Sequence, residues 1–152
     1  MRAEDFNFLF RQSDGVISAR EWRLWTIVLS LICVALELVW RLVSPWTHRD
    51  LATQGLFSLK AFIAFSYLLI FAFGVILAQV SQYYLSAKRF RARGYDPGWA
   101  SVWPLSAFAA GSASVIQPHM FGLVPDFVPW LFLLAAAAVF VAQFYELGLR
   151  GD

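Results

Sequence analysis

Residues 59–84 read LKAFIAFSYLLIFAFGVILAQVSQYY, a run in which Lys60 is the single charged residue. A helix needs about 20 residues to cross the ~30 Å hydrocarbon core of a bilayer, so this run is long enough to span it. Backbone N–H and C=O groups cannot be left unpaired in lipid, and a helix pairs them within one segment. The run therefore predicts a transmembrane helix.

Three further apolar stretches have the same character. With the first, they predict four membrane spans, at residues 22–43, 59–84, 98–116 and 127–147. The composition agrees, because 60% of the residues are hydrophobic and 14% are charged, whereas soluble domains carry about a quarter charged residues. The predicted fold is all-α: a polytopic membrane protein with a four-transmembrane-helix bundle, in a single domain over residues 1–152.

Local sequence signals mark the start of the first span. Ser18 and Glu21 have the spacing of a capping box, in which each side chain accepts a hydrogen bond from the backbone N–H of the other residue. Ile17 and Trp22 occupy the hydrophobic-staple positions on either side of this cap. The first helix is therefore predicted to begin just after Ser18.

Proline and aspartate mark the later spans. Asp96 followed by Pro97 predicts an N-cap and a proline at the first helical position of the third span. Asp126 is predicted to cap the fourth helix, with Pro129 inside its first turn. Pro104 lies deeper in the third span and is predicted to kink it.

Lysine and arginine are distributed unequally along the chain. Nine of the 12 lie before or at the start of the first span, between the second and third spans, or after the fourth. The other three, Arg41, Arg49 and Lys60, lie at or between the facing ends of the first two spans. By the positive-inside rule, this bias predicts that both termini are cytoplasmic. All seven Trp lie within or close to the ends of the spans, as membrane-interface residues do.

The segment before the first span, residues 1–21, is predicted to be cytoplasmic or interfacial. Its aromatic stretch Phe6-Asn7-Phe8-Leu9-Phe10, followed by Arg11, is too short to cross a bilayer. We expect it to lie along the inner leaflet or to tuck under the bundle.

Two stretches carry a family resemblance. Residues 15–22 read GVISAREW and residues 88–99 read KRFRARGYDPGW. They resemble the motifs G-R-I-S-R-x-E-[FY]-W and R-R-L-[HR]-D-x-G-x-S-[GP]-W-W of a family of small bacterial inner-membrane proteins, domain-of-unknown-function family 805. Val16 and Ala19 replace basic residues of the motifs, Ala92 replaces an acidic one and Gly98 a tryptophan. The resemblance implies a multi-pass protein of the bacterial inner membrane. It implies no mechanism, because the family has no agreed activity.

The densest charge cluster consists of Lys88, Arg89, Arg91 and Arg93, which we assign to the loop between the second and third spans. Such a cluster can act solely as a topology signal. It can also bind the headgroups of anionic lipids or dock an acidic partner protein. Nucleic-acid binding is not expected, because four charges beside a membrane do not form a long groove that follows phosphates.

Glu37 is a charged residue in the outer half of the first span, where ionisable groups are costly and often functional. Arg41 lies one turn later, so a structural i,i+4 ion pair is one explanation. The other is a proton-titrating carboxylate that faces the bundle. Small four-span multidrug transporters also carry a glutamate in their first helix, a similarity of layout.

Polar and small residues predict contacts between the helices. Gln79, Ser81 and Gln82 are expected to form interhelical hydrogen bonds near the inner end of the second span. The small residues within 107–114 and 135–138 are expected to let the third and fourth helices approach closely, or to contact a neighbouring chain.

The sequence contains few candidates for catalysis or metal binding. Cys33 is the one cysteine, and the two histidines, His48 and His119, fall in the predicted outer loops. We therefore expect no enzymatic activity, cofactor or metal site. The leading hypothesis is a non-catalytic accessory, assembly or scaffold subunit of a larger inner-membrane complex. Its expected partners are membrane lipids, anionic lipids among them, and other membrane subunits or copies of itself. The alternative is a small proton-coupled transporter that uses Glu37.

Overall fold

The computed structural model describes residues 3–12, 14–47, 58–117 and 123–150. Within these ranges 87% of the residues are helical and none lies in a strand, which confirms the all-α prediction. Five α-helices are present in the described ranges: α1 Ala3–Arg11, α2 Ala19–Val43, α3 Leu59–Ala92, α4 Val102–Ile116 and α5 Val128–Phe144. Short 3₁₀ turns follow α2 (Ser44–Thr47) and precede α4 (Pro97–Ser101), and a π-helical turn (Tyr145–Leu149) follows α5.

Three helical segments are long and apolar enough to cross a membrane. They are Ala19–Thr47, Leu59–Ala92 and Val128–Leu149, which correspond to the first, second and fourth predicted spans. The third predicted span is a shorter helix: α4 has 15 residues, and its length of ~22 Å is less than the ~30 Å of a hydrocarbon core. The described structure thus contains three helices of transmembrane length.

The start of α2 has the predicted capping box. The backbone N–H of Glu21 donates to the Ser18 hydroxyl at 3.2 Å, and the N–H of Ser18 donates to the Glu21 carboxylate at 3.2 Å. These bonds satisfy donors that have no partner inside the helix. Ile17 and Trp22, the predicted staple residues, are both buried. The first helix therefore begins where the sequence predicted.

A glycine ends α3. Gly94 has a φ of 72°, a left-handed conformation that costs glycine little. The N–H groups of Gly94 and Tyr95 donate to the carbonyls of Arg91 and Phe90, each at 3.0 Å. The rings of Phe90 and Tyr95 also lie edge to face at 6.4 Å. This pattern is a Schellman motif with its hydrophobic contact, which ends α3.

The segment before α4 begins with the predicted cap. The Asp96 carboxylate accepts a hydrogen bond of 2.8 Å from the N–H of Gly98, and Pro97 follows the cap. Asp96 thus caps the 3₁₀ turn, and the α-helix itself begins at Val102. Pro104 lies in the first turn of α4, directly after the 3₁₀ turn that precedes this helix. The kink predicted at Pro104 stays a prediction.

Asp126 does not cap the fourth helix, contrary to the prediction. Helix α5 begins at Val128, and Phe127 precedes it without a side-chain cap. The Asp126 carboxylate instead accepts a hydrogen bond of 2.6 Å from the side-chain amide of Gln117. Pro129 lies in the first turn, as predicted. Its fixed φ and lack of an N–H suit that position without a cap.

The structure forms two compact units. The first comprises Met1–Thr26 and Val80–Asp152, and the second comprises Ile27–Gln79. In the second unit, α2 and α3 pack side by side. The Tyr67 hydroxyl donates to the carbonyl of Leu36 at 2.8 Å, and the Trp40 ring stacks on that of Phe71 at 5.8 Å.

In the first unit, α4 and α5 pack against each other. Ala110 and Ala136, one residue from each small-residue stretch, are buried, in agreement with the expected close packing of these helices. The Trp103 ring lies 4.8 Å from the Phe140 ring, and the Gln143 amide donates to the Trp99 carbonyl at 3.0 Å. The start of α4 therefore lies beside the end of α5, and the two helices are antiparallel.

The capping box makes a testable prediction. Ser18→Ala removes one bond of the box and is expected to destabilise the first turn of α2 by about 1 kcal/mol, or about fivefold in local opening. Hydrogen–deuterium exchange in lipid nanodiscs should show faster exchange of the amides at residues 21 and 22. Ser30→Ala, within the same helix, is the control. Equal exchange in both variants and the wild type would contradict the capping role.

Candidate functional site

The basic residues lie on a helix and not in a loop. Lys88, Arg89 and Arg91 occupy the last turns of α3, which continues past the predicted end at Tyr84 to Ala92, and Arg93 begins the turn that follows. The predicted loop placement is therefore wrong for the first three. The helix continues because its stop signal, Gly94, lies beyond the basic residues.

Lys88 is fully buried, with 0% of its surface exposed. Its ammonium donates to the backbone carbonyl of Phe8 and, at 3.0 Å, to that of Leu9. Both carbonyls lie in the last turn of α1, where carbonyls lack partners within the helix. The ammonium also lies 4.7 Å from the centroid of the Phe8 ring. Lys88 thus acts as a C-terminal cap of α1, with the charge that the helix dipole favours.

Arg89 and Arg93 bind the final helical turn in the same way. The Arg89 Nε donates to the carbonyl of Leu147 at 2.9 Å, and Arg93 donates to the carbonyl of Glu146. Both acceptors lie in the π-helical turn that follows α5. Arg89 is only 3% exposed. The basic end of α3 therefore supplies donors to the C-terminal ends of two other helical segments.

The Glu146 carboxylate joins the final turn to the segment after α3. It forms ion pairs with Arg93 at 3.2 Å and Arg150 at 3.1 Å, and the Tyr95 hydroxyl lies at 3.3 Å. The hydrogen bond from Glu146 raises the pKa of the Arg150 guanidinium above its ordinary value. These contacts hold the final turn in addition to the buried contact of Arg89 with Leu147.

Arg91 contacts the segment between α1 and α2. Its guanidinium donates to the carbonyl of Gly15 at 3.3 Å and lies 4.0 Å from the Asp14 carboxylate. Gly15 has a φ of 93°, and a Cβ there would lie 2.7 Å from the Phe8 ring. This position therefore requires glycine for its backbone conformation and for the close approach of the ring.

A buried polar cluster joins α2 and α3 in the first unit. The indole N–H of Trp22 donates to the Ser86 hydroxyl at 3.2 Å. The Gln82 amide donates to the Thr26 hydroxyl at 3.0 Å and to Ser86 at 3.3 Å. The interhelical hydrogen bond predicted for Gln82 is confirmed. The side-chain oxygen of Gln79 is buried without a hydrogen-bond partner among the described residues.

Sequence reasoning missed Trp22, Thr26 and Ser86 as members of this cluster. A signal was present: Trp22 and Thr26 are one turn apart on α2, and Gln82 and Ser86 are one turn apart on α3. Polar groups that repeat every four residues share one helix face, so both helices present a matching pair.

Helix α1 packs against other helices of the first unit. Leu9 and Phe10 are buried, and the Phe10 ring meets the Trp25 ring edge-on at 5.1 Å. Phe6 and Phe8 remain exposed. Of the two alternatives for this segment, packing under the neighbouring helices agrees with these contacts.

The Glu37–Arg41 pair lies apart from the basic cluster, in the second unit. The Arg41 Nε is 2.9 Å from the Glu37 carboxylate, which confirms the predicted i,i+4 ion pair. The Glu37 side chain is 44% exposed and that of Arg41 is 74% exposed. A proton-titrating role for Glu37 stays a prediction.

The described residues contain no group of three or more His, Cys, Asp or Glu that could hold a metal ion. His48 and His119 lie outside the described residues. No family model, curated protein or solved structure matches the chain. The resemblance to domain-of-unknown-function family 805 therefore stays a prediction. So does lipid or partner binding by Lys88, Arg89, Arg91 and Arg93.

The caps make a second prediction. Lys88→Met keeps the length of the side chain but leaves two carbonyls of α1 without a donor, at a cost of about 1–3 kcal/mol. Local opening of α1 is expected to rise about tenfold to hundredfold, measured as hydrogen–deuterium exchange over residues 5–11 in nanodiscs. Lys60→Met, an exposed lysine at the other end of α3, is the control. If α1 stays equally protected in both variants, Lys88 is not its cap.

Proposed function

We propose that this chain is a non-catalytic integral membrane protein of the bacterial inner membrane, an accessory or assembly subunit of a larger complex. The observation that carries the proposal is the low burial of its apolar helices. The most apolar windows of the three long segments are only 11%, 17% and 11% buried within the chain. The remaining apolar surface must contact lipid or another protein, since water would make its exposure costly.

The antiparallel pair α4–α5 supports a fourth span. Trp99 lies beside Gln143 near one end of the pair, and Gln117 lies beside Asp126 near the other. Helix α4 with its preceding 3₁₀ turn therefore extends along most of α5. Their combined length of ~32 Å matches the ~30 Å hydrocarbon core. This hairpin supports the proposal of four spans, in which both termini would lie on the cytoplasmic side that the distribution of basic residues favours.

The hydrogen-bond pattern of the basic cluster fits a scaffold. Lys88, Arg89 and Arg93 donate to backbone carbonyls, and these bonds fix the ends of helices. Side chains engaged in this way do not serve as a nucleophile or a general base. Arg91 keeps a side chain that is 36% exposed. We expect any contact of this cluster with anionic lipid headgroups to be made mainly by Arg91, because Lys88 and Arg89 are buried.

The transporter alternative requires Glu37 to exchange protons with a substrate pathway. The 2.9 Å ion pair with Arg41 favours a structural role, because it gives the Glu37 side chain a partner on its own helix. The accessory-subunit proposal is therefore preferred. A transport assay would compare the wild type with a correctly inserted Glu37→Gln variant. Proton flux coupled to a solute in the wild type, and its loss in the variant, would support the transporter alternative.

The topology is a third prediction. Reporters fused to the two termini, one active only in the cytoplasm and one only outside the inner membrane, should both indicate a cytoplasmic location. If α4 does not cross the membrane, three spans remain and the termini lie on opposite sides. A reporter fused after residue 117 is the internal control, since four spans place this point outside the cytoplasm. Opposite termini would contradict the four-span proposal.

The function itself is tested by purification from native membranes. Tagged protein is extracted with its surrounding lipid into polymer-bounded nanodiscs, and all associated proteins are quantified by mass spectrometry. We expect a stoichiometric membrane complex that is absent from a control purification of an unrelated four-span protein expressed at the same level. Recovery of the chain with lipid alone, or only with copies of itself, would overturn the accessory-subunit proposal.

A further inference from the structure

The first turns of α2 lie beside the basic end of α3 within the first unit, where the Trp22 indole donates to the Ser86 hydroxyl. Arg20 and Arg23 belong to these turns of α2, and we call them the arginine pair. Residues three apart on a helix are neighbours on one face. Arg20 is exposed and Arg23 is half-buried, so the pair forms a charged surface at this end of the unit.

The arginine pair lacks an acidic partner. Among the residues that the structure describes, neither guanidinium forms an ion pair or a hydrogen bond. Glu21 lies between them in the sequence, but its carboxylate accepts the N–H and the hydroxyl of Ser18 at 3.2 and 3.1 Å. The capping box therefore uses the carboxylate that lies closest in the chain.

Other arginines at this end of the first unit are already engaged. Arg91 lies beside the Asp14 carboxylate, and Arg93 and Arg150 pair with Glu146. These contacts satisfy their charges within the chain. The arginine pair differs from them because its positive charge has no such compensation.

The stem of Arg23 packs on the final helical turn. A Cβ on Gly148 would lie 2.9 Å from the Cγ of Arg23 and 3.0 Å from the Trp22 ring, so the side chain crosses the backbone where a glycine leaves room. A long side chain can bury its stem and keep its charge at the surface. Part of the ordering cost of Arg23 is thus met in the folded chain before any ligand binds.

The stability of α2 does not explain the arginine pair. The helix dipole disfavours cations near the start of a helix, and like charges three residues apart repel each other. A role in setting the topology needs only the number of charges and leaves this repulsion in the folded protein. An anion bound by both guanidinium groups would relieve it.

The depth of the arginine pair matches that of lipid headgroups. The apolar segment Ala19–Thr47 has 29 residues, whereas about 20 cross the hydrocarbon core, so several lie in the headgroup region. Arg20 and Arg23 lie ~6 Å and ~1.5 Å before Leu24 along the helix axis, and Leu24 is 52% exposed. Side chains tilt toward the N-terminus of a helix. Both guanidinium groups therefore reach away from the apolar part of α2, into a headgroup region ~5–7 Å deep.

We propose that Arg20 and Arg23 bind the phosphate of an anionic phospholipid in the cytoplasmic leaflet. Guanidinium groups bind phosphate oxygens through paired hydrogen bonds. A net anionic lipid balances the charge of the pair, which a zwitterionic lipid does not. Its acyl chains pack on the apolar surface that begins at Leu24. A free phosphate or an acidic protein segment would match the charge alone.

This inference rests on the membrane placement of α2 in the proposed function and adds the class of lipid and the residues that select it. It needs no partner subunit, because both arginines belong to one helix of one chain. The purified chain is therefore sufficient to test it.

The test measures which lipid stays bound to the purified full-length chain. The protein is reconstituted into nanodiscs that contain equal amounts of phosphatidylglycerol and phosphatidylcholine, then released into mild detergent for native mass spectrometry. Wild type is expected to retain phosphatidylglycerol in preference to phosphatidylcholine. Arg20→Gln/Arg23→Gln should lower this preference about thirtyfold and each single substitution about fivefold, the usual effect of a basic residue at an anionic surface.

Arg150→Gln is the matched control, because it removes one charge from the same end of the unit at a residue already paired with Glu146. It should keep the wild-type preference. Membrane-fraction yield and the terminal reporters show separately whether each variant inserts correctly, and the single variants carry the test if the double variant does not insert.

Two results would overturn the lipid site and leave the accessory-subunit proposal untouched. One is an inserted wild type without preference for phosphatidylglycerol, including the case in which the arginine pair recovers an acidic protein instead. The other is an equal preference in Arg150→Gln and in the variants of the arginine pair. A chain that keeps the lipid preference but is recovered from native membranes without other proteins would support the lipid site and overturn the accessory-subunit proposal.

Discussion

A backbone carbonyl at the end of a helix has no partner within that helix, and leaving it unpaired away from water costs free energy. The first unit depends on how this constraint is met. Lys88 and Arg89 are buried and donate to carbonyls of α1 and of the turn after α5. Because one end of α3 supplies both sets of donors, the positions of α1 and of the final turn are both fixed by α3.

The same basic residues satisfy two separate physical requirements. Their positive charge favours one side of the membrane during insertion, whatever their side chains contact afterwards. Their N–H groups then satisfy helix ends in the folded chain. The topology signal is read from the number of charges alone, and Lys88 contributes to it equally whether exposed or buried. A basic cluster next to a span therefore does not by itself indicate a lipid-binding surface.

The sequence predicted the local features well and the long-range ones poorly. The Ser18–Glu21 box, the Asp96 cap and the Glu37–Arg41 pair are contacts between residues close in the chain, and the structure contains all three. The extension of α3 was missed, although Gly94 marked its end. Asp126 was misassigned because its side chain bonds across to Gln117. The acceptors of Lys88 and Arg89 lie far away in sequence, and no spacing rule connects them.

The sequence separation of these contacts has a consequence for biosynthesis. Lys88 lies 79 residues after Leu9, whereas Arg89 lies 58 residues before Leu147. During translation α1 emerges long before its cap, and Arg89 emerges long before its acceptor. The carbonyls at the end of α1 therefore lack their hydrogen-bond donor early in translation, and the Arg89 guanidinium lacks its acceptor later. The contact of Lys88 with α1 can close once α3 has been made. The contact of Arg89 with Leu147 closes only after a third long apolar segment has followed, so early nascent chains must keep these groups hydrated or bound by insertion factors.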